Sequence, residues 1–248
     1  MGILEKIIVT PSHHRVHHAI NPEYIDKNYS QVFIVWDKLF GSFQEERKDI
    51  PPVYGITHPV ATWNPIKINF QHMFSLLADA WRTSHWMDKA RIWFMPTGWR
   101  PADMMEKYPL KKIEDVYAFE KYDPPSSTGL RTWAMIQLVF LLLFISYLFG
   151  NLANIGSPGI FLYGLFIFLY IYALTSLMDG DKNAFVWEGI KCITAIFLIY
   201  STGGWFGAEI YHASIPYLVG TYLVVSMYLS TNFSISLKVS VPSESNRS

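Results

Sequence analysis

Two long apolar runs constrain this chain more than any other feature. Residues 130–149 and 159–178 consist almost entirely of aliphatic and aromatic side chains. A helix needs about 20 such residues to cross the roughly 30 Å hydrocarbon layer of a bilayer, and each run supplies them. Two weaker runs follow. Residues 186–200 carry Glu188 and Lys191 near their start, and residues 211–229 form a fourth candidate. The expected fold is all-α: an integral membrane protein whose cytosolic or interfacial helices precede a C-terminal region of about four membrane helices. The expected segments are 1–45, 46–129, a membrane region over 130–230 and a polar tail over 231–248. Buried helices of a soluble protein are the competing reading, but these seldom supply two such runs in succession.

Charge follows the same division. The 20 Lys and Arg balance the 20 Asp and Glu, yet residues 130–248 keep only five of each. The composition changes at Pro124-Pro125-Ser126-Ser127, a polar, proline-bearing linker. Connections 151–158 and 203–211 contain no Lys or Arg, whereas Arg131, Lys182, Lys191, Lys238 and Arg247 all fall on the side of residues 1–129. The positive-inside rule then places that side in the cytosol. Neutrality without a basic stripe excludes nucleic acid as a partner. A single cysteine, Cys192 within an apolar run, excludes a disulfide framework. No secretory signal is expected, and Lys6 stands where a myristoylation motif wants Ser or Thr.

The chemistry is concentrated in Thr10-Pro11-Ser12-His13-His14-Arg15-Val16-His17-His18, which holds four of the eight histidines. Crowded imidazoles repel once protonated, so a bound metal that favours the neutral form explains the cluster. Thr10 is a good N-cap, and Pro11 suits the first helical position, where its missing N–H costs nothing. In such a helix His14, His17 and His18 stand at i, i+3 and i+4 on one face, and His13 pairs with His17 on the adjoining column. A solvated polar turn is the plainer alternative. His58, His72, His85 and His212 are scattered singly, so the chain offers one ligand cluster, which looks like part of a site.

Between these regions, Val32 to Leu39 form a short apolar run broken by Asp37. Residues 65–94 mix Trp81, Trp86 and Trp93 with Leu, Met and charges, a pattern that suits helices lying at headgroup level. Trp81, His85 and Asp88 recur at i, i+4 and i+7 and are expected to share a face as packing residues. Pro96-Thr97-Gly98-Trp99-Arg100-Pro101 is expected to form a rigid turn. Glu209-Ile210-Tyr211-His212 has the Glu-x-x-His spacing of carboxylate di-iron bundles, but those need two such motifs and further Glu residues. It is read as a polar pair at a helix start. A transporter built on Asp179, Asp181 and Glu188 is the weaker alternative, because these charges are expected at the cytosolic edge.

The histidine run, followed by Tyr24-Ile25-Asp26-Lys27-Asn28-Tyr29 and Trp36-Asp37-Lys38-Leu39-Phe40-Gly41-Ser42-Phe43, resembles the last part of the fatty acid hydroxylase/sterol desaturase domain. The likeness covers roughly residues 1–45. Within that superfamily it is nearest the alkylglycerol monooxygenase branch, and Pro96 to Asp103 together with the C-terminal membrane region extend it more weakly. The resemblance implies an endoplasmic-reticulum membrane enzyme with non-haem di-iron, using dioxygen on a C–H bond of a lipid substrate. For that branch it implies tetrahydrobiopterin as reductant and an ether lipid as substrate. By the same resemblance His14, His17 and His18 are iron ligands and His13 is an adjacent extra histidine. Asp26, Asn28 and Asp37 either orient the ligands from behind or cap and form turns. The family's first two histidine boxes have no counterpart here, so the expected di-iron site is incomplete in this chain. Two readings follow: a fragment of the monooxygenase that is inactive alone, or a non-catalytic membrane protein of interaction or regulation. The remaining ligands would come from an upstream part of the same enzyme or from a full-length relative.

Overall fold

The computed structural model describes residues 2–110 and 112–240. The last part of the expected tail, 241–248 with Arg247, lies outside the described residues. Those described form ten α-helices: α1 (Pro11–His17), α2 (Val35–Phe40), α3 (Pro65–Arg82), α4 (Trp86–Arg91), α5 (Ala102–Lys107), α6 (Thr128–Gly150), α7 (Leu152–Ile155), α8 (Gly159–Met178), α9 (Ala184–Thr202) and α10 (Ile215–Ser240). Pairing of extended chain is limited, among the described residues, to the isolated bridges Ile8–Phe33 and Ala19–Tyr54. The all-α expectation is met. The chain divides into two compact units, Met1–Ala61 with His72–Tyr122, and Thr62–Gln71 with Asp123–Ser248.

In the second unit α6, α8, α9 and α10 are each long and apolar enough to cross a membrane. The Ser127 hydroxyl starts α6 by accepting the Leu130 N–H at 3.1 Å, and Gly203 ends α9 in the left-handed region at φ 73°. The fourth apolar run was expected to begin at Tyr211, but α10 starts at Ile215. The Glu209 carboxylate accepts the Trp205 N–H and His212 Nδ1 accepts the Ser214 N–H at 3.2 Å, so residues 203–214 turn before the helix begins. Glu209 and His212 thus serve as local turn and cap groups.

Each helix turns one stripe inward. On α6 this is Leu130, Trp133, Gln137, Leu141 and Phe144, at helical spacings of three and four. Buried aromatic donors join the helices: Tyr163 to the Phe144 carbonyl at 3.1 Å, Tyr170 to the Gln137 carbonyl at 2.9 Å, and Trp133 Nε1 to Ser230 at 3.1 Å. Without a hydrophobic driving force between helices in lipid, such packing and polar contacts specify the bundle. Glu188 and Lys191 were expected near the water edge. In the structure they lie 1 % and 0 % exposed on the inward stripe of α9, a burial the sequence pattern did not show. Their ion pair spans 2.6 Å, and Ser226 of α10 donates to Glu188 while accepting from Lys191. Asp179, by contrast, closes α8 and accepts the Trp63 N–H at 2.7 Å and the Thr62 hydroxyl.

In the first unit Arg100 grips Asp79 of α3 through two guanidinium nitrogens at 2.5 and 2.9 Å. Trp99 N–H bonds the Pro96 carbonyl at 3.0 Å, so Pro96–Pro101 forms the expected turn. Trp81, His85 and Asp88 do not share a face. The helix stops at Arg82, His85 takes an extended conformation as N-cap of α4, and Asp103 draws Thr83 and Ser84 out of the helical path through hydrogen bonds of 2.9 to 3.2 Å. Along α3, Phe70, Phe74, Leu77 and Trp81 are exposed on one side.

Candidate metal centre

Helix α1 is short and is held by its surroundings. Val16 is fully buried and packs with Ala19 and Tyr24. On a second side Arg15 meets Glu46 in a bidentate pair, Nε to Oε1 at 2.8 Å and Nη2 to Oε2 at 2.5 Å, while Ser12 donates to the same carboxylate at 2.6 Å. The Arg15 and Ser12 donors hold the Glu46 carboxyl below its usual range. Glu46 carries no local sequence signal; only its distant pairing reveals its part. With these two sides anchored, the remaining face presents His14, His17 and His18 to solvent.

On that face His14 Nε2 and His18 Nε2 stand 3.0 Å apart, with rings nearly perpendicular. At that separation one Nε2 donates a hydrogen bond to the other, so in this geometry one nitrogen of the pair carries a proton and the other its lone pair. The His17 ring lies 5.3 Å from that of His18 and 6.1 Å from that of His14. His17 Nδ1 faces the Lys27 carbonyl at 3.3 Å. A carbonyl only accepts, so Nδ1 carries the proton and Nε2 keeps its lone pair, which is how metal-bound histidines are usually oriented. The three rings open onto a depression of about 500 Å³ also bordered by Asn28, Tyr29 and Ser30. Among the described residues no three His, Cys, Asp or Glu side chains already converge on one point. The donors therefore fit iron in kind but not in number.

The other residues singled out by sequence stand elsewhere. His13 is buried, its ring edge on Phe43 at 5.6 Å. Its Nδ1 accepts the Thr10 N–H at 3.2 Å, completing a capping box in which histidine takes the place of the usual Glu. Burial lowers its pKa. No ring contact joins it to His17 among the described residues. Asn28, at φ 52°, donates to the His13 carbonyl at 3.3 Å and the Gln44 carbonyl at 2.8 Å, and so ties α1 to the chain after α2. Asp37 accepts the N–H groups of Tyr29 and Ser30 at 2.8 and 3.0 Å and the Ser42 hydroxyl at 2.7 Å. Burial pushes its carboxyl up, but the bonds from Ser42, Ser30 and Tyr29 outweigh this and hold it below the usual range. Asp26 accepts from the Tyr29 hydroxyl at 3.0 Å. Among the described residues none of these three is hydrogen-bonded to an imidazole. Asn28 and Asp37 instead shape the rim of the depression.

Residues 1–42, with this histidine face, match the fatty acid hydroxylase family. The chain is related to the fatty acid hydroxylase family. It is homologous to alkylglycerol monooxygenase: 35 % identical to the human protein over 202 residues, which is 80 % of this chain and 44 % of that protein. The Xenopus tropicalis protein is 33 % identical over 199 residues, again 80 % and 44 % of the two chains. The Caenorhabditis elegans protein is 51 % identical over 77 residues, 31 % of this chain and 15 % of its own. The chain thus spans less than half the length of these curated relatives. No solved structure matches it.

Proposed function

We propose that this chain is the C-terminal part of a membrane-bound, non-haem di-iron lipid monooxygenase of the alkylglycerol monooxygenase type, and that it is inactive alone. The observation that carries this reading is the outward face of α1, where His14, His18 and a tautomer-fixed His17 all border one depression. In the complete enzyme the di-iron centre would supply the oxidising power to place one oxygen atom of dioxygen in an ether-lipid C–H bond, with tetrahydrobiopterin as electron donor. The part played by this chain is to hold and orient. His14, His17 and His18 bind iron, Thr10 and His13 fix the start of α1, and Asn28 and Asp37 hold the Tyr29–Ser30 rim. Four helices anchor the box to the endoplasmic-reticulum membrane, and the one-sided Lys and Arg put it on the cytosolic face.

Three imidazoles cannot satisfy two irons, so the missing ligands come from the other part of the hydroxylase domain. Ile3, Leu4, Ile7, Val32, Trp36 and Leu39 are exposed apolar side chains that such a part would cover. A non-catalytic role in interaction or regulation is the second reading, because a seat without a full ligand set could also bind a full-length relative. Ether-lipid cleavage assays separate the two. The purified chain should show no turnover. Co-expression with the N-terminal half of a related alkylglycerol monooxygenase should restore it, and His14→Ala should abolish the restored activity. Turnover by the chain alone would overturn its assignment as an inactive part, and no turnover with the partner half would overturn the catalytic reading.

A further inference from the structure

At the end of the bundle where α6 begins and α8 stops lies a cavity of about 150 Å³, bordered by Trp63, Asp123, Ser126, Leu130, Arg131 and Met178. Its place is set by hydrogen bonds. Thr62 and the Trp63 N–H both hold Asp179, the residue that closes α8, and so fix Trp63 against the bundle end. The floor, Leu130 and Met178, is apolar and belongs to two candidate spans. The rim is charged in both senses. Arg131 is exposed in the first turn of α6, and its Nε donates to Ser126 at 2.8 Å. Its terminal nitrogens have no further partner among the described residues. Asp123 is an exposed carboxylate, and the Trp63 ring is 45 % exposed.

This set of groups discriminates. A guanidinium with free terminal N–H groups recognises phosphate. A carboxylate and an indole bordering the same cavity can together recognise an ammonium, the carboxylate by its charge and the indole by its ring. A purely anionic headgroup would meet Asp123, and a purely cationic one would meet Arg131. An apolar floor at the start of a span puts the cavity where lipid headgroups sit, and it is too small for a whole lipid. We propose that this cavity holds the headgroup of one zwitterionic phospholipid, its phosphate on Arg131 and its ammonium between Asp123 and Trp63. The acyl chains run down the outer side of α6, where Met135, Leu138 and Leu142 are exposed. This lipid is a bound structural partner of the membrane region and uses none of the histidine-face residues, so its test is independent of the monooxygenase reading.

Native mass spectrometry of the detergent-purified full chain tests it, with phosphatidylcholine, phosphatidylglycerol and diacylglycerol of equal chain length as probes. One phosphatidylcholine should be retained in preference to the other two. Arg131→Gln should weaken that retention by about tenfold, the value of one charge-assisted contact, and Asp123→Asn should let phosphatidylglycerol bind as well. Should Arg131→Gln fail to fold, excess glycerophosphocholine added to the unaltered chain should still displace the bound lipid. Equal retention of all three lipids, or no displacement and no loss in the folded variant, would reduce the site to ordinary annular lipid and overturn the proposal.

Discussion

His14 and His18 bring their Nε2 atoms to 3.0 Å across one turn of α1, while His13, one position earlier, faces inward and caps the helix. The four histidines thus divide into one that builds and three that present. Removing the builder should cost stability and removing a presenter should not. His13→Ala should lower stability by about 1 kcal/mol, the usual value of an N-terminal cap. His14→Ala and His18→Ala, measured without metal, should stay within about 0.5 kcal/mol of the parent, as exposed substitutions do. Thermal unfolding of the three variants in one detergent checks this. A stable His13→Ala would remove the capping role.

Asp37 organises the rim from a buried position and satisfies three donors. Asp37→Asn keeps the shape but removes the charge and turns an amide N–H toward one of those donors. Bonds to a charged group contribute about 1.5–3 kcal/mol each, so a loss of at least about 1.5 kcal/mol is expected. Denaturant unfolding of the variant against the parent measures it.

Asp103 gives a pH signature. Its carboxyl falls from an ordinary 3.8 to about 2 because the Ser84 N–H and then the Thr83 and Ser84 hydroxyls bond its ionised form. A carboxyl lowered in the folded state contributes stability above its ordinary pKa, and that contribution disappears as pH falls toward about 2. Asp103→Asn should therefore be less stable than the parent at pH 5, and the difference should shrink steadily through pH 3. A difference independent of pH would contradict the assignment.

In the bundle, Glu188 and Lys191 compensate one another in a site closed to water. Breaking one member leaves the other charge unpaired, at a cost of about 3–5 kcal/mol, whereas replacing both by apolar groups of similar size is often neutral. Lys191→Met alone should strongly destabilise the protein in micelles, and Glu188→Met combined with Lys191→Met should recover most of the loss. A double variant as unstable as the single one would show that the pair does more than neutralise itself.

The membrane half was legible because a spanning helix writes itself as unbroken apolar sequence, and α8 coincides with its run, Gly159–Met178. The start of α1 was equally legible from Thr10 and Pro11, since caps are local. Residues whose role depends on distant partners were not. Nothing local in the sequence shows that Glu188 and Lys191 pair on the inward stripe of α9 with Ser226 of α10. Periodicity carried a helix through Trp81, His85 and Asp88, where Asp103, far along the chain, breaks it. Within the histidine run, spacing put His14, His17 and His18 on one face. It could not show that His13 would be taken up by Thr10, nor that Glu46 would anchor the opposite side.

Iron counting tests the central claim most directly. The chain should be purified alone and in complex with the N-terminal half of a related alkylglycerol monooxygenase, and iron per complex determined by plasma mass spectrometry. The account predicts two irons in the complex, fewer than one on the chain alone, and loss of iron from the complex when His14, His17 and His18 are all replaced by Ala. Two irons on the isolated chain, or an unchanged count in the triple variant, would contradict it.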